Sequence, residues 1–230
     1  VTLMGQGSFF LVLSGMTIGG QATARRQSAT TTRGRDNIHV QGHLALGGLK
    51  SVADIELEQE LDRPYAYVAR ARYQGNYDRG MDIIDLSDPT HPKLLLHWVN
   101  DNDDLNVGVG GLDIKYFKQS GRYYVVLSVQ FRQGPDNDLG AIVFDVTGLP
   151  DVSKVREVAR IREPDMPGGF HNIFIYQHSN GTPYLITTVR GPGANMYDLS
   201  KVVSGDVENA FAANIPIPGP EGTRLSYHDF

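Results

Sequence analysis

Two histidines and three acidic or amide residues occupy matching places in the sequence and suggest a site for a metal or another ligand. His171 precedes Asn172 in the same way that His228 precedes Asp229, and Asp113 lies 59 positions before Asn172. Imidazole nitrogens and carboxylate oxygens together suit divalent transition metals such as Zn, Fe, Ni or Mn. The predicted metal ligands are therefore His171 and His228, and the predicted ligand-binding residues beside them are Asp113, Asn172 and Asp229.

A purely structural interpretation of the same residues stays open. Asp or Asn can hydrogen-bond the loop before a strand, while the histidine packs beneath that strand. Neighbouring residues in a strand also point to opposite sides, so His171 and Asn172 face the same point only if the strand begins with a bulge. The preceding Gly168-Gly169 pair permits such a bulge, because glycine adopts backbone conformations that other residues avoid.

An internal repeat determines where the predicted site lies. An acid or amide followed by a large apolar residue recurs 59, 59 and 57 positions apart, at Asp54, Asp113, Asn172 and Asp229. A second motif, an apolar residue followed by Asp, an aliphatic residue and a hydroxyl, recurs 60 and 53 positions apart, around Asp85, Asp145 and Asp198. Two motifs with one period, separated by short strand-like segments, are typical of a β-propeller in which each repeat is a four-stranded blade.

We therefore predict an all-β fold with three full blades, at about residues 49–107, 108–166 and 167–225 of a propeller region spanning 37–230. Partial blades are expected at 37–43 and from about residue 226. Propellers close with about 4 to 8 blades, so we expect the chain to be a fragment of a closed propeller. The first strand of each blade lies innermost, which places the predicted site at the mouth of the central channel.

The second repeat shows the predicted strand order most clearly. Its β-branched and aromatic runs predict strands over residues 112–117, 122–129, 140–146 and 155–161. The recurring aspartate of the second motif comes at the end of the third strand, just before a turn. We expect the three aspartates in that position to accept backbone hydrogen bonds in the turn rather than to take part in catalysis.

The second motif carries a resemblance to a known family. Residues 81–89 read Met-Asp-Ile-Ile-Asp-Leu-Ser-Asp-Pro and are followed by Pro92. This segment resembles the repeat of the bacterial secreted LVIVD-repeat β-propellers, in which an aliphatic strand ends in Asp before a Ser-Asp-Pro turn. The other two repeats keep the strand and the Asp but replace that turn with residues 147–150 and 200–201. The resemblance covers roughly residues 45–230 and implies a propeller outside the cell, with no catalytic residues to carry over.

The first 24 residues are predicted to be a signal peptide. An apolar run over residues 8–18 has the length of a signal hydrophobic region, and Ala22-Thr23-Ala24 matches the small-x-small cleavage pattern. The run is shorter than the roughly 20 apolar residues that cross a membrane. Residues 25–36 are polar and are predicted to be flexible. We therefore expect a secreted, periplasmic or cell-surface protein without a membrane span.

Composition and motifs narrow the function classes. The net charge is −5 and the sequence lacks a dense run of Lys or Arg, which argues against nucleic acid as a partner. The sequence also lacks a G-x-S-x-G elbow, a phosphate loop and a dinucleotide-binding fingerprint. We predict an exported binding or interaction scaffold for an unidentified protein or small molecule. The alternative is a metal-dependent hydrolase or oxidase with its site at the channel mouth.

Overall fold

The computed structural model describes residues 39–47, 51–73, 78–220 and 225–230. They belong to two compact units, Val1–His43 and Leu44–Phe230. In the first unit, residues 39–43 have no regular secondary structure, so the strand expected over 37–43 is not seen in its described part. The predicted signal peptide, 1–24, and the predicted flexible segment, 25–36, lie outside the described residues.

Strands dominate the described part of the second unit, which confirms the all-β class. One short helix, α1, spans Leu199–Ser204, and single 3₁₀ turns lie at Val152–Lys154 and Val207–Asn209. No helix within the described ranges has the length and hydropathy to cross a membrane. The strands in these ranges are β1 (Ser51–Leu57), β2 (Tyr65–Ala71), β3 (Gly80–Asp85), β4 (Lys93–Val99), β5 (Val107–Gln119), β6 (Arg122–Gln133), β7 (Leu139–Asp145), β8 (Arg156–Arg162), β9 (Ile173–Gln177), β10 (Pro183–Thr188), β11 (Ala194–Asp198) and β12 (Phe211–Ile215).

The strands form three antiparallel meanders of four. The first meander is β1–β4, the second is β5–β8 and the third is β9–β12, and within each one every strand pairs with the next. The first and second meanders join through one residue pair, Ala71 with Gly110, which makes a strongly curled eight-stranded sheet. The four strands predicted over 112–161 coincide with β5 to β8.

The second meander packs on both faces, because its two central strands, β6 and β7, carry mostly apolar and mostly buried residues. Alternate residues of β6 point to opposite sides. Leu127 therefore packs with Tyr67 and Met81 of the first meander, whereas Val126 packs with Leu185 of the third. Full burial of one such side chain stabilises the fold by roughly 1.5–3 kcal/mol, so these two interfaces supply much of the driving force for folding.

The aspartates at the ends of β3, β7 and β11 make one recurring contact. In each case a side-chain oxygen accepts a hydrogen bond from the backbone N–H two residues later, at 2.8 to 3.0 Å. This is the geometry by which an Asp stabilises a turn. The structural role predicted for these residues is therefore confirmed at Asp85, Asp145 and Asp198.

The opening strand of a fourth blade, expected from about residue 226, is not observed. Residues 225–230 have no regular secondary structure. A strand requires a neighbour that accepts and donates its backbone hydrogen bonds, and no described strand pairs with this segment. Asp229-Phe230 therefore matches the acid or amide motif in sequence, but it does not begin a strand as the motif was expected to do.

Candidate functional site

The first strands of neighbouring meanders are linked by aspartates at irregular positions. The register shifts next to Asp54 in β1 and around Asp113 in β5, which marks bulges at both places. Asp54 Oδ2 accepts a hydrogen bond from the Ile114 N–H at 3.2 Å, and Asp113 Oδ2 accepts one from the Ile173 N–H at 2.8 Å. Each bond joins residues 60 apart and links the first strand of one meander to the first strand of the next.

Lys115 places a positive charge between these two carboxylates. Its ammonium lies 2.8 Å from Asp54 Oδ2 and also donates to Asp113 Oδ1. Asp113 is 4% exposed, and its own N–H donates to Ser128 Oγ at 2.8 Å. The side chain of Asp113 is therefore held on both oxygens, by Lys115 and by the backbone of β9.

The hydroxyl of Thr188 positions the segment that carries His171. The N–H groups of His171 and Asn172 both donate to Thr188 Oγ1, at 3.0 and 2.9 Å. The Thr188 N–H in turn donates to the Asn172 carbonyl at 3.0 Å. Asn172 lies just before β9 rather than inside it, so the alternation of side chains that a strand imposes does not apply to His171 and Asn172.

The structure brings the two predicted metal ligands into contact. The ring centroids of His171 and His228 lie 4.7 Å apart, with the ring planes inclined at 56°. They approach from segments 57 residues apart in the chain, one before β9 and one in residues 225–230. Two imidazoles at this separation are near enough to bind the same small ligand.

Two clefts meet at His171. One has a volume of about 360 Å³ and is lined by His171, His228 and Thr188, among others. The second has a volume of about 380 Å³ and contains Asp54, Asp113, Lys115, His171, Asn172 and Asp229. All five predicted site residues therefore line one cleft or the other, and His171 is common to both.

Burial and charge shift the pKa values of the groups in these clefts. Burial lowers the pKa of His171, the neighbouring His228 lowers it further, and Asp229 opposes both. Burial and a hydrogen bond with Asp54 raise the pKa of Asp113 to about 6, against the opposing effects of the Ile173 N–H and Lys115. Burial acts to raise the pKa of Asp54, but the hydrogen bonds with Asp113, Lys115 and the Ile114 N–H, together with the charge of Lys115, lower it overall.

The raised pKa of Asp113 predicts a stability change with pH. Between the ordinary carboxyl pKa of 3.8 and about 6, the folded protein binds more protons at this position than the unfolded chain does. Stability therefore falls as the pH rises through this window and levels off above it. The amide side chain of Asp113→Asn cannot titrate, so the variant loses this contribution to the pH dependence. Across the whole window the contribution changes the free energy of unfolding by at most about 3 kcal/mol.

Urea unfolding at pH 4 to 8 measures this effect as the wild-type free energy of unfolding minus that of Asp113→Asn. We expect the difference to decrease between about pH 4 and 6. The exposed Asp62, substituted as Asp62→Asn, provides the control and should show no such trend. A difference that is constant or that rises with pH would contradict the assignment.

Sequence reasoning missed Lys115 and Thr188, the residues that hold the site together. Both residues could have been noticed in the sequence. Lys115 follows the motif aspartate by two positions, and the hydroxyl residues Ser128 and Thr188 lie 15 and 16 positions after Asp113 and Asn172.

The last predicted site residue, Asp229, makes a local contact. Its Oδ1 accepts a hydrogen bond from the N–H of Phe230 at 3.1 Å, as Asp113 Oδ1 accepts one from the N–H of Ile114. Within the described ranges, no three His, Cys, Asp or Glu side chains are grouped to hold a metal ion.

Comparison with known proteins adds no family assignment. No protein-family model matches the chain, and no curated protein matches it. A crystal structure named as an exo-beta-1,3-galactanase, from Bifidobacterium bifidum s17, is similar at a TM-score of 0.44 and 17% identity. The match covers 70% of this chain, which spans about half, 51%, of that one. A likeness at this level assigns neither an activity nor a fold family.

Proposed function

We propose that the three meanders are three blades of a β-propeller, of the kind found in the LVIVD-repeat family. The support is the strand order within each meander and the two equivalent bonds made by Asp54 and Asp113, each to the first strand of the next meander. In a propeller such contacts lie near the axis, where the first strands of successive blades converge. The clefts at His171 would then lie at the channel mouth.

We further propose that the protein is an exported binding module that takes a divalent transition metal, with any ligand of that metal, at the cleft between His171 and His228. The observation that carries this proposal is the contact of the two imidazole rings, with centroids 4.7 Å apart. Two imidazoles provide two of the four or more positions that such a metal fills. The remaining positions are left for water or for a bound partner, which suits a metal-assisted binding site.

Titration with Co²⁺ tests the proposed metal site, because the visible spectrum of Co²⁺ reports its ligands as well as its binding. We expect one Co²⁺ per chain at pH 7.5. His171→Gln and His228→Gln should each weaken binding by more than about 10-fold, since each removes a ligand. Binding should also weaken in acid, because protons compete with the metal for ligand nitrogens.

His178→Gln is the matched control for the metal site. His178 is exposed and lies near Tyr176 and Tyr184, away from the two clefts. Its substitution should leave Co²⁺ affinity and spectrum unchanged. Equal losses in all three variants would indicate adventitious binding to surface histidines, and unchanged binding in His171→Gln would remove the proposed site.

A metal-dependent hydrolase is the second candidate function, and one observation favours it. Asp113, with a pKa of about 6, lines the cleft that also contains His171, and a carboxyl group that titrates there suits general acid–base work near neutral pH. Hydrolysis of p-nitrophenyl acetate by the Co²⁺-loaded protein discriminates the two functions. Turnover that is lost in Asp113→Asn while Co²⁺ binding is retained would favour the enzyme over the binding module.

A further inference from the structure

A further cavity lies between the second and third meanders, and neither His171 nor His228 lines it. It has a volume of about 850 Å³, within the range of small-molecule sites. Residues of β8 and the loop after it form one side, and β11, β12 and the 3₁₀ turn at Val207–Asn209 form the other. Its apolar lining includes Met166, Val207 and Phe211.

Aromatic rings form one wall of this cavity. Tyr197 and Phe211 are paired across β11 and β12, with ring centroids 5.9 Å apart at 77°. Tyr197 is buried, whereas Phe211 is 52% exposed. An exposed aromatic face attracts an organic cation through its quadrupole and also covers the apolar body of such a ligand.

The two arginines on the opposite side are already neutralised by acids. Arg160 pairs with Glu157 at 2.6 Å and with Asp101 at 2.7 Å. Arg162 pairs in turn with residues of the hairpin between β6 and β7, at 2.5 Å from Asp138 and 2.9 Å from Asp136. These guanidinium groups are therefore occupied, and the cavity does not present them as free anion-binding groups.

The acids in the cavity lining have no such partners. No ion pair to a Lys or Arg within the described ranges involves Glu163, Asp165 or Glu208, and all three line the cavity. Glu163 is held in place, because its Oε1 accepts from Asn195 Nδ2 at 3.1 Å and from the Tyr197 hydroxyl. Its backbone N–H also donates to the Asp138 carbonyl at 2.8 Å.

Uncompensated negative charge beside an aromatic wall favours a positively charged ligand with an apolar body. Burial raises the pKa of Glu163, and Asp165 raises it further, against the hydrogen bond from Asn195. A bound cation would offset the cost of holding a half-buried carboxylate there. The same surroundings would repel an anion of the same size and shape.

We propose that this cavity binds a small organic cation, an ammonium group on an aromatic or alkyl body, with Glu163 contacting the ammonium and Phe211 contacting the body. The site is separate from the histidine pair and does not rest on the proposed metal binding. It gives the protein a second ligand site, between residues of the second and third meanders.

Calorimetric titration with 2-phenylethylammonium tests the proposal, with 3-phenylpropanoate as a probe of similar body and opposite charge. We expect saturable binding of the ammonium in the micromolar to millimolar range usual for so small a ligand, and binding of the carboxylate at least about 10-fold weaker. Affinity for the ammonium should also fall as salt is raised from low to high concentration.

Two variants locate the binding within the cavity. Glu163→Gln keeps the hydrogen-bonding shape and removes the charge, so affinity for the ammonium should fall by about 10-fold. Phe211→Ala removes an exposed side chain and should weaken binding while the thermal unfolding profile stays close to wild type. Asp62→Asn changes the net charge equally, at an exposed turn outside the cavity, and should leave affinity unchanged.

Three results would overturn the proposal. They are equal affinity for the two probes, full affinity in both Glu163→Gln and Phe211→Ala, and no saturable binding of 2-phenylethylammonium up to roughly 10 mM. If Glu163→Gln fails to fold, Phe211→Ala and the comparison of the two probes on the wild-type protein still decide the outcome. Loss of Co²⁺ binding in the histidine variants, with ammonium binding retained, would show that the two sites are distinct.

Discussion

Asp82→Ala is expected to lower the free energy of unfolding by roughly 3–5 kcal/mol, because it removes one partner of a buried ion pair. Asp82 on β3 and Arg70 on β2 are diagonal neighbours, and both side chains are fully buried. Arg70 Nε lies 3.0 Å from Asp82 Oδ1. The variant would leave the guanidinium without its nearest counter-charge in a place that water does not reach.

The geometry of this pair shows that charge, more than aligned hydrogen bonds, holds it together. Arg70 Nε, Arg70 Nη1 and Asp82 Oδ2 have no hydrogen-bond partner. Burial lowers the pKa of Arg70, with Asp82 as the main opposing influence. His97, directly across the sheet on β4, contacts the same Asp82 oxygen at 2.7 Å and is the other group that would lose a partner.

Urea unfolding of three variants separates this effect from ordinary substitution. The exposed control, Asp62→Ala, should stay within about 0.5 kcal/mol of wild type. The double variant Arg70→Met/Asp82→Leu should be clearly more stable than Asp82→Ala, because an apolar pair needs no counter-charge. If Asp82→Ala costs no more than Asp62→Ala, the buried pair is not a determinant of stability.

Gly169→Ala is expected to cost about 2–5 kcal/mol, the sum of a left-handed backbone and a severe overlap. Gly169 has φ of +72°, and a Cβ built there would lie 2.0 Å from the Val129 carbonyl oxygen and 2.8 Å from that of Leu139. Both contacts are backbone atoms of the second meander, so a flexible side chain cannot relieve them. The chain must shift, and with it the Phe170 N–H that donates to Val129 O at 3.0 Å.

Gly181→Ala isolates the contribution of backbone conformation alone. Gly181 has φ of +89°, and a Cβ there would meet nothing within 4 Å. This variant should lose only about 1 kcal/mol in thermal or urea unfolding. Gly169→Ala should also weaken Co²⁺ binding, since Gly169 lies two residues before His171, whereas Gly181→Ala should not. Equal destabilisation by the two variants would show that the overlap at Gly169 is relieved without cost.

Local sequence patterns predicted the strands of the second meander well, but they also predicted strands at 37–43 and from about residue 226 that the described residues do not form. The β-branched run at residues 122–129 lies in β6 and the apolar run at 140–146 overlaps β7, because a strand buried on both faces needs mostly apolar side chains. Residues 225–230 carry the same motif as the earlier first strands and form none. The motif encodes a preference for extended backbone, whereas a strand also requires a neighbouring strand that pairs with its backbone N–H and C=O groups.

Part of the candidate site was likewise predictable from the sequence. The spacing of the acid or amide motif placed His171 and His228 at matching positions in the sequence, and the two rings are in contact in the structure, although residues 225–230 do not form the expected strand. The pattern of residue types likewise predicted that Asp85, Asp145 and Asp198 would stabilise turns through contacts two residues away, which are local.

The sequence by itself determined the strand-forming segments, the turn aspartates and the matched places of the two histidines, since all of these depend on short-range preference or on a repeated spacing. Only the tertiary structure decided that Lys115 lies between Asp54 and Asp113 and that Thr188 holds the backbone of His171. The cavity beside Glu163 was likewise invisible in the sequence. Its walls come from separate meanders, and the charges that remain unpaired there depend on which arginines other acids have already neutralised.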